Sequence, residues 1–226
     1  MGTERIKTHF EEEAKEFDIT IQKLIPYYDE MTSSLVSIIP FSKESAFSMM
    51  DLGCGTGTVS KAVKDSYPNV KVTCIDIAAG MLQIAMNKIG GNVNCIQADF
   101  NKFEFQEKYD LVISSLALHH LETDDDKFGF YKKIYSALNP KGIFINIDVV
   151  LGSDEDLQKV YMEKWREFMA KSVTEEEIND KWLPNYYAED RPIKLITHLD
   201  MLKNCGFTSV DIVYKYFNYA VYCAKK

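Results

Sequence analysis

Four groups of polar residues stand at spacings that suit the binding of one compact ligand. The first is Asp51-Leu52-Gly53-Cys54-Gly55-Thr56-Gly57, an acid followed by three glycines in five positions. Glycine lacks a Cβ, so such a loop can turn through positive φ and let a ligand lie against its backbone. If a helix follows, its first amides favour an electron-rich group. The second is Asp76, about 20 residues beyond the loop, where an acid can accept hydrogen bonds from both hydroxyls of a ribose. Asp99-Phe100 offers a carboxylate and a ring, which suit the edge and face of an adenine. Last comes Ser114-Ser115-Leu116-Ala117-Leu118-His119-His120, whose imidazoles titrate near neutrality and can accept a proton.

The elements that must position these groups follow from apolar periodicity. From Ala46 the chain alternates strand and helix, the pattern of an open, mostly parallel sheet. Strands are expected at Phe47–Leu52, Val70–Ile75, Val93–Gln97, Tyr109–Ser114 and Gly142–Val150, each placing a polar group beyond its C-terminal end, where such sheets bind ligands. Helices are expected from about Val59 and through Leu82 to Ile89. Thr123-Asp124-Asp125-Asp126 reads as the capped start of another, its acids complementing the helix dipole rather than holding a metal.

Residues 1–45 read as a helical arm broken near Pro26. It could serve as packing or as a flap over the ligand, with Tyr27 or Tyr28 touching it. Residues 152–192 break the alternation. Ser153 and the Thr174 capping box are expected to start two helices, the second stopped by Pro184, forming a lid over the ligand edge of the sheet within a domain of residues 46–226. Thr197 is expected to cap a short helix. A closing hairpin is expected from Thr208–Tyr214 and Phe217–Ala224, turning at Lys215-Tyr216.

A dinucleotide fingerprint would read G-x-G-x-x-G with a pyrophosphate on the helix. Here Asp51 stands before the loop, which would repel a pyrophosphate but can pair with an ammonium. Ribose, adenine, ammonium and carboxylate together describe S-adenosylmethionine (SAM). The loop with Asp76, Gln97-Ala98-Asp99 and Leu138-Asn139-Pro140-Lys141-Gly142 resembles the class I SAM-dependent methyltransferases over about residues 46–226. The resemblance implies a Rossmann-like, seven-stranded sheet with its last strand antiparallel. It also implies a SAM site made by Tyr28, Asp51, Gly53, Cys54, Gly55, Gly57, Asp76, Ile77, Met81, Asp99, Phe100 and Ser115. Catalytic candidates are His119 and His120.

The flanks, including Phe17-Asp18, Ile25-Pro26-Tyr27-Tyr28 and Phe217-Asn218-Tyr219, resemble the carboxy-SAM synthase of the tRNA wobble-uridine pathway. That family carries a carboxylate-reading arginine where this chain has Lys181-Trp182-Leu183, so ordinary methyl transfer is the leading expectation. Arg166 and Arg191 lie elsewhere in the lid region. The alternatives are carboxy-SAM synthesis, a nicotinamide dehydrogenase and a non-catalytic SAM-binding partner protein.

Composition narrows the partners. At 226 residues with a net charge of −8, the chain gives no strong nucleic-acid signal. No apolar run suits a membrane span, and the five scattered cysteines read as reduced thiols in the cytoplasm. The histidines show no metal-ligand spacing. The expected partner is a small-molecule methyl acceptor, with a homodimer as an option.

Overall fold

The computed structural model describes residues 2–14, 16–99 and 102–226. The chain opens with three helices, α1 (Gly2–Glu13), α2 (Phe17–Leu24) and α3 (Tyr28–Ser37). The break between α2 and α3 falls at Pro26, whose ring cannot continue a helix. Alternation follows through β1 (Ser48–Leu52), α4 (Thr58–Ser66), β2 (Lys71–Asp76), α5 (Ala79–Ile89), β3 (Asn94–Gln97) and β4 (Tyr109–Ser115). A short 3-10 turn, Leu118–His120, leads to α6 (Asp124–Ala137) and β5 (Leu138–Val149).

Seven strands form one sheet in the order β3-β2-β1-β4-β5-β7-β6, where β6 is Ser209–Tyr216 and β7 is Tyr219–Lys225. β7 runs antiparallel to both β5 and β6, and the other neighbouring pairs are parallel. Strand order reverses between β1 and β4, which opens a crevice beyond their C-terminal ends. The sheet is buried on both faces, as the alternation of β5 shows. Ile143, Ile145, Ile147 and Val149 join the core packed by α3, α4 and α5, while Phe144 joins the core packed by α6. Asn146 and Asp148, two and four residues on from Phe144, are fully buried polar groups.

The insertion after β5 consists of α7 (Glu155–Met169), α8 (Glu175–Glu177), one π turn at Ile178–Trp182 and α9 (Leu183–Glu189). Here several expectations change. Asp154, not Ser153, caps α7 by accepting from the Leu157 amide at 2.9 Å. Pro184 does not stop the helix. It sits in the first turn of α9, where its missing N–H leaves no hydrogen bond unmade, and the irregularity appears as the π turn before it. The Thr174 capping box forms as expected, with Glu177 reaching back to the Thr174 amide.

Two more boundaries move. Helix α10 (Leu195–Asn204) starts after Lys194 and takes Thr197 into its first turn. The closing hairpin turns at Phe217-Asn218 rather than Lys215-Tyr216, with Phe217 in the left-handed region at φ +45°. The Thr123 cap of α6 forms reciprocally with Asp126, so the aspartate run acts as a helix start.

Candidate active site

The loop between β1 and α4 carries the conformations its glycines allow. Gly53, Gly55 and Gly57 have φ of +69°, +52° and +78°. Behind it, Asp76 at the end of β2 accepts from the Gly55 amide at 2.8 Å through Oδ2 and from the Ala78 amide at 2.9 Å through Oδ1. Burial raises the Asp76 carboxyl above its usual range, against the pull of these amides. Asp51 is buried under the loop. Ser60 donates to its Oδ2 at 2.6 Å, and Oδ1 has no partner among the described residues. Burial pushes this carboxyl up to about 7, opposed by the Ser60 bond and assisted by nearby Asp76.

The N-terminal arm closes over this crevice. Thr56 and Thr58 of the loop both donate to Asp18, at 2.5 and 3.0 Å, and Lys88 of α5 bridges to the same carboxylate at 2.6 Å. Glu11 of α1 caps the first amides of α5, accepting from Ala79 at 2.6 Å and Gly80 at 2.9 Å. Phe10, Phe17, Ile21 and Tyr28 thereby become part of the crevice wall. Tyr27 instead packs on Tyr216, 4.6 Å between ring centroids.

Of the residues named from sequence, Tyr28, Asp51, Gly53, Cys54, Gly55, Asp76, Ile77, Met81, Asp99 and Ser115 all line the crevice. Gly57 does not. It lies behind the loop, packed so closely on α5 that an added Cβ would meet the Ala85 Cβ at 2.9 Å. Phe100 lies outside the described residues. An unpartnered carboxylate oxygen and a close-approach loop fit a ligand with an ammonium and a carboxylate, and Asp76 keeps lone pairs for ribose hydroxyls.

A second, apolar pocket adjoins the crevice and shares Phe10, Phe17, Ile21, Leu116 and His120 with it. His119 and His120 stand at this junction with different surroundings. His119 Nδ1 donates to Asp148 Oδ1 at 2.5 Å, and its Nε2 lies 3.5 Å from Asp190 Oδ1. Burial opposes the charged form of His119, but the two carboxylates outweigh it and raise its pKa. His120 Nδ1 donates to the Glu189 carbonyl oxygen at 3.2 Å, which leaves the Nε2 lone pair free. Burial and the neighbouring His119 push His120 down to about 3, so it is neutral.

Asp148 is held in turn by Asn146, which donates to it at 3.1 Å and to the Tyr222 hydroxyl at 2.7 Å. Sequence reasoning missed Asp148, Asp190 and Asn146. A signal existed for two of them, since Asn146 and Asp148 are polar residues at period two in an apolar strand. Asp190 also brings one ligand-type atom within 4.8 Å of His119 and His120, a grouping that sequence spacing does not show. Neither Arg166 nor Arg191 lines either pocket. Arg166 pairs with Glu175 at 2.5 Å, and Arg191 donates to the Asp190 and Ala188 carbonyl oxygens.

Comparison with known proteins agrees with this geometry. A methyltransferase-domain family (Methyltransf_25) matches residues 49–142. A malonyl-[acyl-carrier protein] O-methyltransferase of Acetivibrio thermocellus is 30% identical over 141 residues, covering 61% of this chain; the chain spans 47% of that relative's length. A carboxy-S-adenosyl-L-methionine synthase of Campylobacter hominis is 28% identical over 230 residues, covering 98% of this chain and 96% of the relative. Among solved structures, the DhpI–SAH complex superposes with a TM-score of 0.68 at 17% identity, covering 99% of this chain and 96% of that one. The chain thus carries a match to a methyltransferase domain over residues 49–142, is similar over nearly its whole length to carboxy-S-adenosyl-L-methionine synthases, and shares the fold of solved methyltransferases.

Proposed function

We propose that this chain transfers a methyl group from SAM to a small-molecule acceptor held in the apolar pocket beside the crevice. The observation that carries the reading is the buried, unpartnered Oδ1 of Asp51 beside the glycine loop, a place for the ammonium of an amino-acid tail. The loop backbone takes the carboxylate of that tail, Asp76 the ribose, and Asp99 the adenine edge, with Ile77 and Met81 along the ring and Tyr28 and Ser115 closing the front. Gly57 supports the site by letting the loop pack on α5.

SAM, when bound, supplies a methyl group already activated on a sulfonium sulfur. The protein therefore has to align the acceptor, exclude water and receive a proton. The arm and the lid enclose the junction, which favours alignment. His120, with Nδ1 tied to the Glu189 carbonyl oxygen, lines both pockets as a neutral imidazole at their junction. His119 lies between Asp148 and Asp190, which favour its charged form, and holds that end of the pocket in place. The five cysteines are free thiols, which supports a reducing, cytoplasmic setting. No helix among the described residues is long and apolar enough to cross a membrane.

Calorimetry with SAM and its demethylated product tests this reading, with dissociation constants expected on the order of 1–100 μM. Binding of neither would remove it. The full-length likeness to carboxy-SAM synthases favours a second reading, that SAM itself is the substrate. Mass spectrometry of the nucleoside that co-purifies separates the two, because carboxy-SAM is heavier than SAM.

A further inference from the structure

The pocket beside the cofactor crevice has an unusual electrical balance. Its walls are aromatic: Phe10, Phe17, Trp165, Trp182, Tyr186 and Tyr219. Its polar end holds Glu189 and Asp190, with Asp148 directly behind His119. Among the described residues, no lysine or arginine lines it.

The acids are not equally satisfied. Glu189 receives Arg5 at 3.0 Å and His9 at 2.7 Å from α1. Asp148 receives His119 and Asn146, and the buried Lys127 spends its ammonium on the Leu121 carbonyl oxygen nearby. The Asp190 carboxylate receives no hydrogen bond from any described residue and has only the two imidazoles at 3.5 Å. The single His119 imidazole thus stands between two carboxylates, Asp148 and Asp190, and even when protonated it offsets only one of them. A half-buried carboxylate without a donor is costly, and a ligand that brings an N–H removes that cost. Aromatic walls around the same point attract a cation through their ring faces.

We propose that this pocket takes an amine as the methyl acceptor, its nitrogen seated against the Asp190 carboxylate and its apolar body among the aromatic walls. Acceptors that carry a carboxylate are refused, because no lysine or arginine lines the pocket and its acids already outnumber the His119 imidazole. The assignment rests on the methyltransferase reading above.

The chemistry balances. The bound ammonium gives one proton to the Asp190 carboxylate, and the freed nitrogen lone pair forms the new N–C bond. The electron pair of the breaking C–S bond stays on sulfur, leaving a neutral thioether. The product leaves as a methylated ammonium, and Asp190 returns its proton to water.

Three indoles that differ only in their polar end test the assignment: tryptamine, tryptophol and indole-3-acetate. Their binding is measured by calorimetry with the whole chain, with and without the demethylated cofactor. Tryptamine is expected to bind at least tenfold more tightly than tryptophol, and indole-3-acetate not measurably. Asp190→Asn, nearly isosteric, is expected to weaken tryptamine at least tenfold while leaving tryptophol and the demethylated cofactor unchanged. With SAM present, tryptamine should gain the mass of one methyl group. Equal binding of the three indoles, binding of none, or an Asp190→Asn protein that keeps full tryptamine affinity would overturn the proposal. Failure to bind SAM or its product would instead overturn the methyltransferase reading, and the indole preference without cofactor still decides the amine assignment.

Discussion

Ser60 Oγ donates a 2.6 Å hydrogen bond to Asp51 Oδ2, while Oδ1 of the same buried carboxylate has no partner among the described residues. A carboxyl in this position, raised by burial to about 7, is partly protonated near neutrality in the free protein. The ammonium of SAM needs it ionised. Cofactor affinity should therefore fall as pH drops below about 7, by up to about tenfold per unit, and binding at pH 6 should release close to one proton. Calorimetry in buffers of different ionisation enthalpy reads both. Stability runs the other way. The folded pKa lies above the ordinary 3.8, so the native state keeps this proton longer and loses stability as pH rises from about 4 to about 7. Asp51→Asn should raise the melting temperature at pH 7 and weaken SAM binding. An affinity independent of pH between 5.5 and 7 would refute the ammonium assignment.

Asp76 has a structural role beside its proposed ribose contact, since both oxygens already accept from amides of Gly55 and Ala78. The sequence alone suggests that Asp76→Ala would spare the fold. The geometry indicates instead that it frees the glycine loop, at about 1–3 kcal/mol for buried amides left unsatisfied. Asp76→Asn keeps an oxygen for one amide and should lose less stability. Both variants should bind SAM at least tenfold more weakly, and unchanged affinity in Asp76→Asn would rule out the ribose role.

What was legible in the sequence was mostly local. The three loop glycines are needed where they stand because the backbone takes positive φ there, and that requirement is written in residue type. The capping boxes at Thr123 and Thr174 could be read for the same reason. The histidine environment was not local. Asp190 reaches His119 only because the lid returns to the sheet, with the Arg191 amide donating to the His119 carbonyl oxygen and Leu151 bridging to Lys194. Phe10 and Phe17 become crevice walls only because Glu11 and Asp18 anchor the arm on α5 and the glycine loop. Pro184 misled because a proline is tolerated in a first helical turn, and sequence does not reveal that a π turn restarts the helix there.

Gly57 and Gly55 should respond differently to alanine. At Gly57 the new methyl would sit 2.9 Å from Ala85 Cβ and 3.0 Å from its Cα, with φ at +78°. Overpacking against helix backbone and a left-handed conformation together should cost about 2–4 kcal/mol. At Gly55 the nearest atom is Phe17 Cε1, at 3.7 Å, so Gly55→Ala should cost only the conformational part, about 1–2 kcal/mol. It lines the crevice, however, and should lose SAM binding out of proportion to stability. Urea unfolding and calorimetry on the two variants separate packing from binding; equal stability losses would refute the distinction.

The buried His119–Asp148 pair carries the last prediction. His119 is raised above its ordinary pKa despite burial, through Asp190 and Asp148, and Asp148 is lowered despite burial by His119. The histidine's contribution to stability is complete below its unfolded pKa, near 6.5, and disappears as pH rises through its raised folded value. The aspartate's contribution is present above its unfolded value, near 3.8, and disappears as pH falls through its lowered folded value. The pair is therefore most stabilising in the interval between those unfolded values. Asp148→Asn removes one partner from a buried charge and should cost about 3–5 kcal/mol there. In that variant the His119 imidazole, followed by NMR, should titrate at lower pH than in the parent protein. An unchanged His119 titration would mean that Asp148 does not hold the charge at the acceptor end of the site.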